Sequence, residues 1–166
     1  MIQLDVDFLT YNEIADVAHS FLDQYNKDGE IPVPIEEIIE FELEMDIIPI
    51  PNLQRDFDIE GFPSKDFTSI YVDEFIYKNR PYRYRFTLAH EVGHKFLHND
   101  KLSEIDIDPS NAVDSWVRFI AQVDSDDYNR MEFQGYAFGG IVLVPTKILK
   151  YHFDENLESI TALISA

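Results

Sequence analysis

The sequence predicts an α+β fold in which a small mixed or antiparallel sheet packs against several helices. Apolar residues recur at helical spacing in several segments of the 166-residue chain, and three short stretches between residues 46 and 77 have strand-like composition or alternation. The length and the 45% hydrophobic content suffice for one core but are small for two. We therefore expect a single domain, 1–166.

The N-terminal third is predicted to form two helices and one strand. Thr10 and Glu13 have the spacing of a capping box, and apolar residues follow at helical spacing, so a first helix is expected over residues about 11 to 26. Pro34 opens a second, shorter helix. The stretch "DIIPIP" then has the pattern of a strand, and its prolines favour a sheet edge because proline donates no ladder hydrogen bond.

Two more strands and four helical regions are predicted downstream. Local alternation in "DIEGF" and "TSIYVDE", with the turn "PSKD" between them, indicates two short strands. The first helical region carries the stretch "RFTLAHEVGHKFLHND". Helical spacing in "PSNAVDSWVRFIAQ" and "YNRMEFQGYAFGGIVLVP" indicates two later helices separated by polar "DSDD", and Pro145 starts a final helical region.

Composition excludes several classes of function. The 32 acidic and 13 basic residues give a formal net charge of -19, which would repel a phosphate backbone, so we expect no direct nucleic-acid binding. The sequence has no cysteine, so a metal must be held by His, Asp or Glu. The N-terminus is acidic where a secretory signal would be basic, and no apolar run approaches the ~20 residues of a membrane span. We expect a cytoplasmic, soluble protein that does not enter a membrane.

The pentapeptide His90-Glu91-Val92-Gly93-His94 matches the pattern H-E-x-x-H. Residues four apart share one helix face, so His90 and His94 can present two imidazole nitrogens to one ion. Glu91 points to the side, within reach of a water on that ion, which is the position of a general base. Gly93 costs about 1 kcal/mol of helix propensity relative to Ala, which indicates that another element packs closely there.

The third metal ligand needs a separate argument. His98 lies eight residues after His90, a rise of about 12 Å along a helix, so it cannot join both histidines on one ion and is predicted to support a ligand or end the helix. The alternative is a later carboxylate. Four candidates lie in a polar stretch and are most simply solvated: Glu104, Asp106, Asp108 and Asp114. Glu132 differs, because it lies in an otherwise apolar helix where a carboxylate costs free energy without a partner.

These segments resemble the ImmA/IrrE-like family of small bacterial zinc metallopeptidases of gluzincin type. The resemblance runs from "IADVAHSFL" to "EFQGYAFGGIVLVP" and is most specific in "RFTLAHEVGHKFLH" and in the segment that begins at Glu132. It implies that the H-E-x-x-H motif lies on a central helix and that Glu132, on a following helix, is the third Zn²⁺ ligand. Gly135-Tyr136 departs from the family's Ala-Asn, so any hydrogen bond from that Asn must be replaced by Tyr136 or lost. Gly139-Gly140 replaces bulkier residues, which predicts loosening or close packing at that point.

The resemblance implies a zinc-dependent endopeptidase that cleaves a helix-turn-helix transcriptional repressor, a separate DNA-binding protein. In this hypothesis Zn²⁺ is bound by His90, His94 and Glu132, and Glu91 is the catalytic base. The "TSIYVDE" strand could offer its edge to an extended substrate. The oxyanion could be stabilised by any of Tyr136, Tyr128, Tyr84 and His152. The alternative function is a zinc-containing regulatory module that binds a protein without cleaving it, although a purely structural zinc site would not need Glu91.

Overall fold

The computed structural model describes residues 2–164. The N-terminal half contains three strands among short helices, with the following bounds: α1 Tyr11–Tyr25, α2 Ile35–Glu37, a π-helical turn Ile38–Glu42, β1 Asp46–Ile50, α3 Leu53–Phe57, β2 Gly61–Pro63, β3 Ser69–Asp73 and α4 Glu74–Asn79. The C-terminal half is helical: α5 Pro81–Leu97, α6 Asn99–Leu102, a 3-10 turn Pro109–Asn111, α7 Ala112–Gln122, α8 Ser125–Leu143, α9 Thr146–Glu155 and α10 Leu157–Ile164. The α+β class is confirmed.

The first helix begins as predicted. The Thr10 hydroxyl accepts from the Glu13 backbone N–H at 3.3 Å, and the Glu13 carboxylate accepts from the Thr10 backbone N–H at 2.7 Å. Both bonds of the capping box are thus present, so two N–H groups at the start of α1 are satisfied. The buried side of α1 packs on α8, which brings the N-terminal third against the C-terminal half.

The sheet is mixed, with strand order β1-β3-β2. β1 runs parallel to β3, with Ile48 opposite Tyr71, and β2 runs antiparallel to β3, with Phe62 opposite Tyr71. The edge position predicted for the proline-containing β1 is confirmed. The hypothesis that the "TSIYVDE" strand offers its edge to a substrate is wrong, because β3 hydrogen-bonds to a strand on each side and has no free edge.

The long helix α5 packs against α8, α1, β2 and β3. All eight of its residues from Thr87 to His94 are buried, so this part of the helix is enclosed on every side. The packing of α5 on α8 is the contact expected between the helices that carry the histidines and Glu132. No helix formed by residues 2–164 has the length and apolar content needed to cross a membrane.

Glycines allow α5 and α8 to approach closely. A Cβ added at Gly93 would lie 3.1 Å from the Phe138 ring and 3.3 Å from the Gly135 Cα. A Cβ at Gly139 would lie 3.1 Å from the His90 backbone nitrogen, whereas one at Gly140 would meet nothing within 4 Å. The close packing predicted at Gly93 is therefore confirmed, and of the two adjacent glycines only Gly139 faces α5.

Candidate metal centre

Four side chains with metal-binding atoms meet where α5 crosses α8. His90, Glu91 and His94 are buried on α5 and place one ligand atom each within 4.8 Å of the others. The Nε2 atoms of His90 and His94 lie 2.9 Å apart. Across them, on α8, Glu132 Oε2 lies 3.4 Å from His90 Nε2, and Glu132 Oε1 lies 3.4 Å from His94 Nε2. Two imidazole nitrogens and one carboxylate therefore face a common point.

The spacing of these donors fits a single small cation. Ligands bound to one tetrahedral zinc ion at about 2.0–2.1 Å lie about 3.3 Å from one another. The two Nε2 atoms and the nearest carboxylate oxygens are separated by 2.9, 3.4 and 3.4 Å. With no cysteine in the sequence, the donor set is the one expected for a site built from His and Glu.

The charge states of Glu132 and His94 suit metal binding. Burial alone would raise the pKa of Glu132, but the adjacent His90 and His94 imidazoles lower it well below the usual range. Glu132 is therefore an anion at neutral pH. Burial, reinforced by the neighbouring His90, lowers the pKa of His94, so its imidazole is held in the neutral form that binds metals.

Glu91 lies in a different environment from Glu132. Burial raises the pKa of Glu91 to about 8, and the nearby carboxylates of Glu132 and Glu60 raise it while His90 lowers it. Its Oε2 atom is buried and has no hydrogen-bonding partner among the residues that the structure describes. A carboxyl whose pKa lies near neutrality can both take up and release a proton, which is the requirement for general acid-base chemistry.

His98 occupies both of the positions predicted for it. Its backbone leaves the helix with φ of -132°, so α5 ends at Leu97. Its Nδ1 lies 3.0 Å from His94 Nδ1, the ring nitrogen of His94 that faces away from Glu132. The polar-stretch carboxylates of Glu104, Asp106, Asp108 and Asp114 are exposed, and none of them lines the cavity around His90.

A cavity of about 280 Å³ opens onto the four side chains. Its walls come from the segment before β2, from α5, α7 and α8, and Trp116 and Ile120 supply an apolar side. At the cavity wall Arg83 donates two hydrogen bonds of 2.6 Å to the Glu60 carboxylate. The sequence analysis did not predict that Glu60, Arg83, Trp116 and Ile120 line the site, because these residues lie in separate segments and have no regular spacing from the histidine motif.

Two of the four predicted oxyanion donors line this cavity. Tyr128 and Tyr136 lie four residues before and after Glu132 on α8, and burial raises the pKa of Tyr128, which keeps its hydroxyl protonated. Tyr84 instead donates its hydroxyl to Glu36 at 2.8 Å. His152 lines a separate cavity between α9 and the segment after α1. The structure therefore brings Tyr128 and Tyr136 to the site and leaves Tyr84 and His152 outside it.

The Gly135-Tyr136 departure changes how His90 is supported. The Tyr136 ring lies 4.5 Å from the His90 ring, centroid to centroid, at an angle of 51°, and it stacks on Phe86. His90 Nδ1 is buried and has no hydrogen-bonding partner within residues 2–164. Tyr136 therefore contacts His90 through its ring and makes no hydrogen bond to His90 Nδ1 within the described residues.

The chain matches one family model, described as Peptidase_M78, the IrrE N-terminal-like domain, over residues 56–163. The matched segment, about two thirds of the chain, includes β2, β3, α5 and α8 and therefore all four side chains at the helix crossing. Neither the curated proteins nor the solved structures contain a match to the chain.

Proposed function

The chain belongs to the Peptidase_M78 family, and from this premise we propose that it is a zinc-dependent endopeptidase that cleaves a helix-turn-helix transcriptional repressor. Membership confirms the resemblance to the ImmA/IrrE-like metallopeptidases and carries a metal-dependent peptidase function with it. Zinc, the roles of individual residues and the repressor substrate are the proposal's own content. A repressor substrate would place the reaction in the bacterial cytoplasm.

The observation that carries the proposal is the convergence of His90, His94 and Glu132. We assign the third ligand to Glu132 rather than Glu91, because each Glu132 oxygen lies 3.4 Å from one imidazole Nε2. Glu91 is not part of that set, and its buried Oε2 has no hydrogen-bonding partner among residues 2–164. Three protein ligands with a separate carboxylate suit a catalytic site, whereas a structural zinc site commonly has four protein ligands.

In the proposed reaction each side chain has one task. When bound, zinc supplies a Lewis acid that polarises a carbonyl and acidifies water. Glu91 Oε2 accepts a proton from the attacking water and returns it to the leaving amine. Tyr128, whose burial keeps the hydroxyl protonated, donates a hydrogen bond to the oxyanion that develops on the scissile carbonyl. The ring of Tyr136 covers His90 and limits its movement.

An extended peptide would bind along the outer edge of β2, and not along β3 as the sequence analysis expected. β2 pairs with β3 on one side only, and Asp58, Glu60 and Gly61 at its start line the cavity. Backbone pairing along this edge would carry a peptide past the histidines, and main-chain hydrogen bonds supply affinity in such complexes. The exposed acidic side chain of Asp58 favours a basic substrate segment, in keeping with the net charge of -19, whereas the Glu60 carboxylate is already paired with Arg83.

One observation favours a second function, a zinc-containing regulatory module that binds its partner without cleaving it. This observation is the weak support of the His90 ring. In the part of the chain that the structure describes, His90 Nδ1 lacks the hydrogen bond that commonly fixes a metal-binding histidine. Losses of this kind reduce metal affinity or activity by roughly tenfold to a hundredfold. A weakened centre could retain binding while losing turnover. The two functions differ in whether they need Glu91 as a base.

The Glu91→Gln variant separates the two functions. The amide keeps the shape of the side chain but cannot accept the proton, so zinc should be retained and cleavage should fall by at least about a hundredfold. The wild type, Glu91→Gln and the exposed-carboxylate control Glu104→Gln would each be mixed with the repressor encoded beside the gene. Cleavage is followed on a gel and promoter activity in cells. Derepression by both the wild type and Glu91→Gln, with the repressor intact, would establish the binding module instead.

A further inference from the structure

We propose that His98 and Gln134 are positioning residues that hold His94 in a single tautomer, with Nδ1 protonated and the Nε2 lone pair directed at the metal position. The inference deepens the proposed function and rests on its metal site. It follows from a chain of hydrogen bonds that runs from the N-terminal segment through α8 to α5, in which each partner fixes the role of the next.

The chain of hydrogen bonds begins at a backbone carbonyl. Gln134 Nε2 donates to the carbonyl oxygen of Asp7 at 2.8 Å, and a carbonyl oxygen can only accept. This bond fixes the orientation of the Gln134 amide, so its oxygen is the atom that faces His98. Gln134 Oε1 lies 2.8 Å from His98 Nε2.

The amide oxygen then fixes the tautomer of His98. Because Gln134 Oε1 can only accept, His98 Nε2 must carry a proton and donate it. His98 is 1% exposed, and its two hydrogen-bonding partners, Gln134 and His94, are neutral groups, so burial disfavours a positive charge on the ring. A neutral His98 with a protonated Nε2 has a bare Nδ1 that accepts.

His98 in turn fixes the tautomer of His94. His98 Nδ1 accepts from His94 Nδ1 at 3.0 Å, which places the single ring proton of His94 on that atom. His94 Nε2 is then left with a lone pair, 2.9 Å from His90 Nε2 and 3.4 Å from Glu132 Oε1. His90 has no such support at its Nδ1 within the described residues, so His94 is the preorganised ligand of the two.

The N-terminal segment keeps the first acceptor of this chain in place. The Asp127 carboxylate accepts from the backbone N–H groups of Leu4, Asp5 and Val6, and Arg130 donates to the Val6 carbonyl at 2.6 Å. Asp7 follows directly, so its carbonyl is held against α8. Residues 4–7 precede the segment matched by the family model, which begins at residue 56. Residues outside that match therefore contribute to the support of the metal site.

The test compares Gln134→Met with Gln134→Glu. Methionine has similar length but removes the acceptor, whereas glutamate loses the donor to the Asp7 carbonyl but keeps an oxygen that accepts from His98. Gln134→Met should weaken zinc binding, measured by chelator competition, by roughly tenfold to a hundredfold, and Gln134→Glu should lose less. His98→Phe should behave as Gln134→Met does, and His152→Phe, at an exposed histidine outside the site, should retain the wild-type affinity.

A tautomer measurement separates this role from a loss of packing. Nitrogen-15 NMR of the metal-free full-length chain should show His94 protonated at Nδ1 in the wild type and in Gln134→Glu, and a tautomer mixture in Gln134→Met. The proposal is overturned if Gln134→Met keeps both the single tautomer and the wild-type affinity, or if His98 is protonated on both nitrogens. A wild type that binds no zinc would refute the proposed metal site, while the NMR result would still decide the tautomer.

Discussion

Gly135 shows how closely one residue position controls the geometry of the site. A Cβ built at Gly135 would lie 2.9 Å from His90 Cε1, 3.0 Å from His90 Nδ1 and 3.2 Å from His94 Cε1. Both rings therefore rest against the bare backbone of α8 in this chain, in which Gly135 stands where the resembled family usually has Ala. The same close approach leaves no room for a group that could bond to His90 Nδ1 from this position.

Replacing Gly135 by alanine should displace the histidine rings. Because the added methyl meets both rings at distances shorter than ordinary contact, we expect Gly135→Ala to weaken zinc binding by about tenfold or more. The matched control is Gly140→Ala on the same helix, where a Cβ meets nothing within 4 Å. That variant should keep its zinc affinity and gain up to about 1 kcal/mol of stability. Equal zinc affinities for the two variants, measured by chelator competition, would contradict this account.

The sequence analysis predicted those site residues that share one helix, or that are charged within an otherwise apolar helix. The four-residue spacing of His90 and His94, and the carboxylate of Glu132 in an apolar helix, were sufficient to predict that these side chains meet. Gln134 was missed although the same signal, a polar residue in the same apolar helix, was present two positions later. Its partners are a backbone carbonyl and His98, and tertiary contacts of that kind leave no local pattern.

At the scale of elements, α8 joins two parts of the molecule. One side carries Tyr128, Glu132 and Tyr136 into the cavity, while Asp127, Arg130 and Gln134 bind the N-terminal segment. The spacings of three and four residues put each set on its own face of the helix. A displacement of α8 would therefore alter the metal ligands and the support of His94 together.

Removing the Asp127 carboxylate should release the N-terminal segment. Three backbone N–H groups donate to this side chain at 2.9 to 3.2 Å, and hydrogen bonds to charged groups are individually strong. We expect Asp127→Ala to lower the free energy of unfolding by about 2–4 kcal/mol in urea titrations. The neighbouring exposed Asp126 is the control, and its replacement by Ala should cost no more than about 1 kcal/mol. Indistinguishable unfolding midpoints would show that the segment is not held in this way.

The long elements and the short helix after Pro34 were predicted, whereas the short helices α3 and α4 were not. α1, α5, α7 and α8 each present several apolar residues at helical spacing, whereas α3 and α4 are too short to show a period. These two short helices depend on Asp73, whose carboxylate accepts from the backbone N–H groups of Gln54 and Ile76. The "TSIYVDE" stretch therefore ends as a strand at Asp73, which caps the start of α4 through the local bond from the Ile76 N–H and holds α3 through the long-range bond from the Gln54 N–H.

At the scale of the whole molecule, the candidate site draws on both halves of the chain. The family match covers residues 56–163, yet α1 packs on α5 and α8, and residues 4–7 hold the carbonyl that orients Gln134. The mixed sheet contributes the cavity wall next to its free β2 edge. Composition and periodicity predicted the fold class, but the strand order depends on pairing between distant segments, which no local pattern encodes.

The most direct test of the proposed function is a crystal structure of the zinc-loaded chain, with anomalous data collected on both sides of the zinc absorption edge. We predict one zinc peak per chain between α5 and α8, at about 2.0–2.2 Å from His90 Nε2, His94 Nε2 and a Glu132 carboxylate oxygen, with Glu91 uncoordinated. A peak bound by Glu91 in place of Glu132, or by Asp106, Asp108 or Asp114, would contradict the assignment of ligand and base on which the proposed peptidase depends.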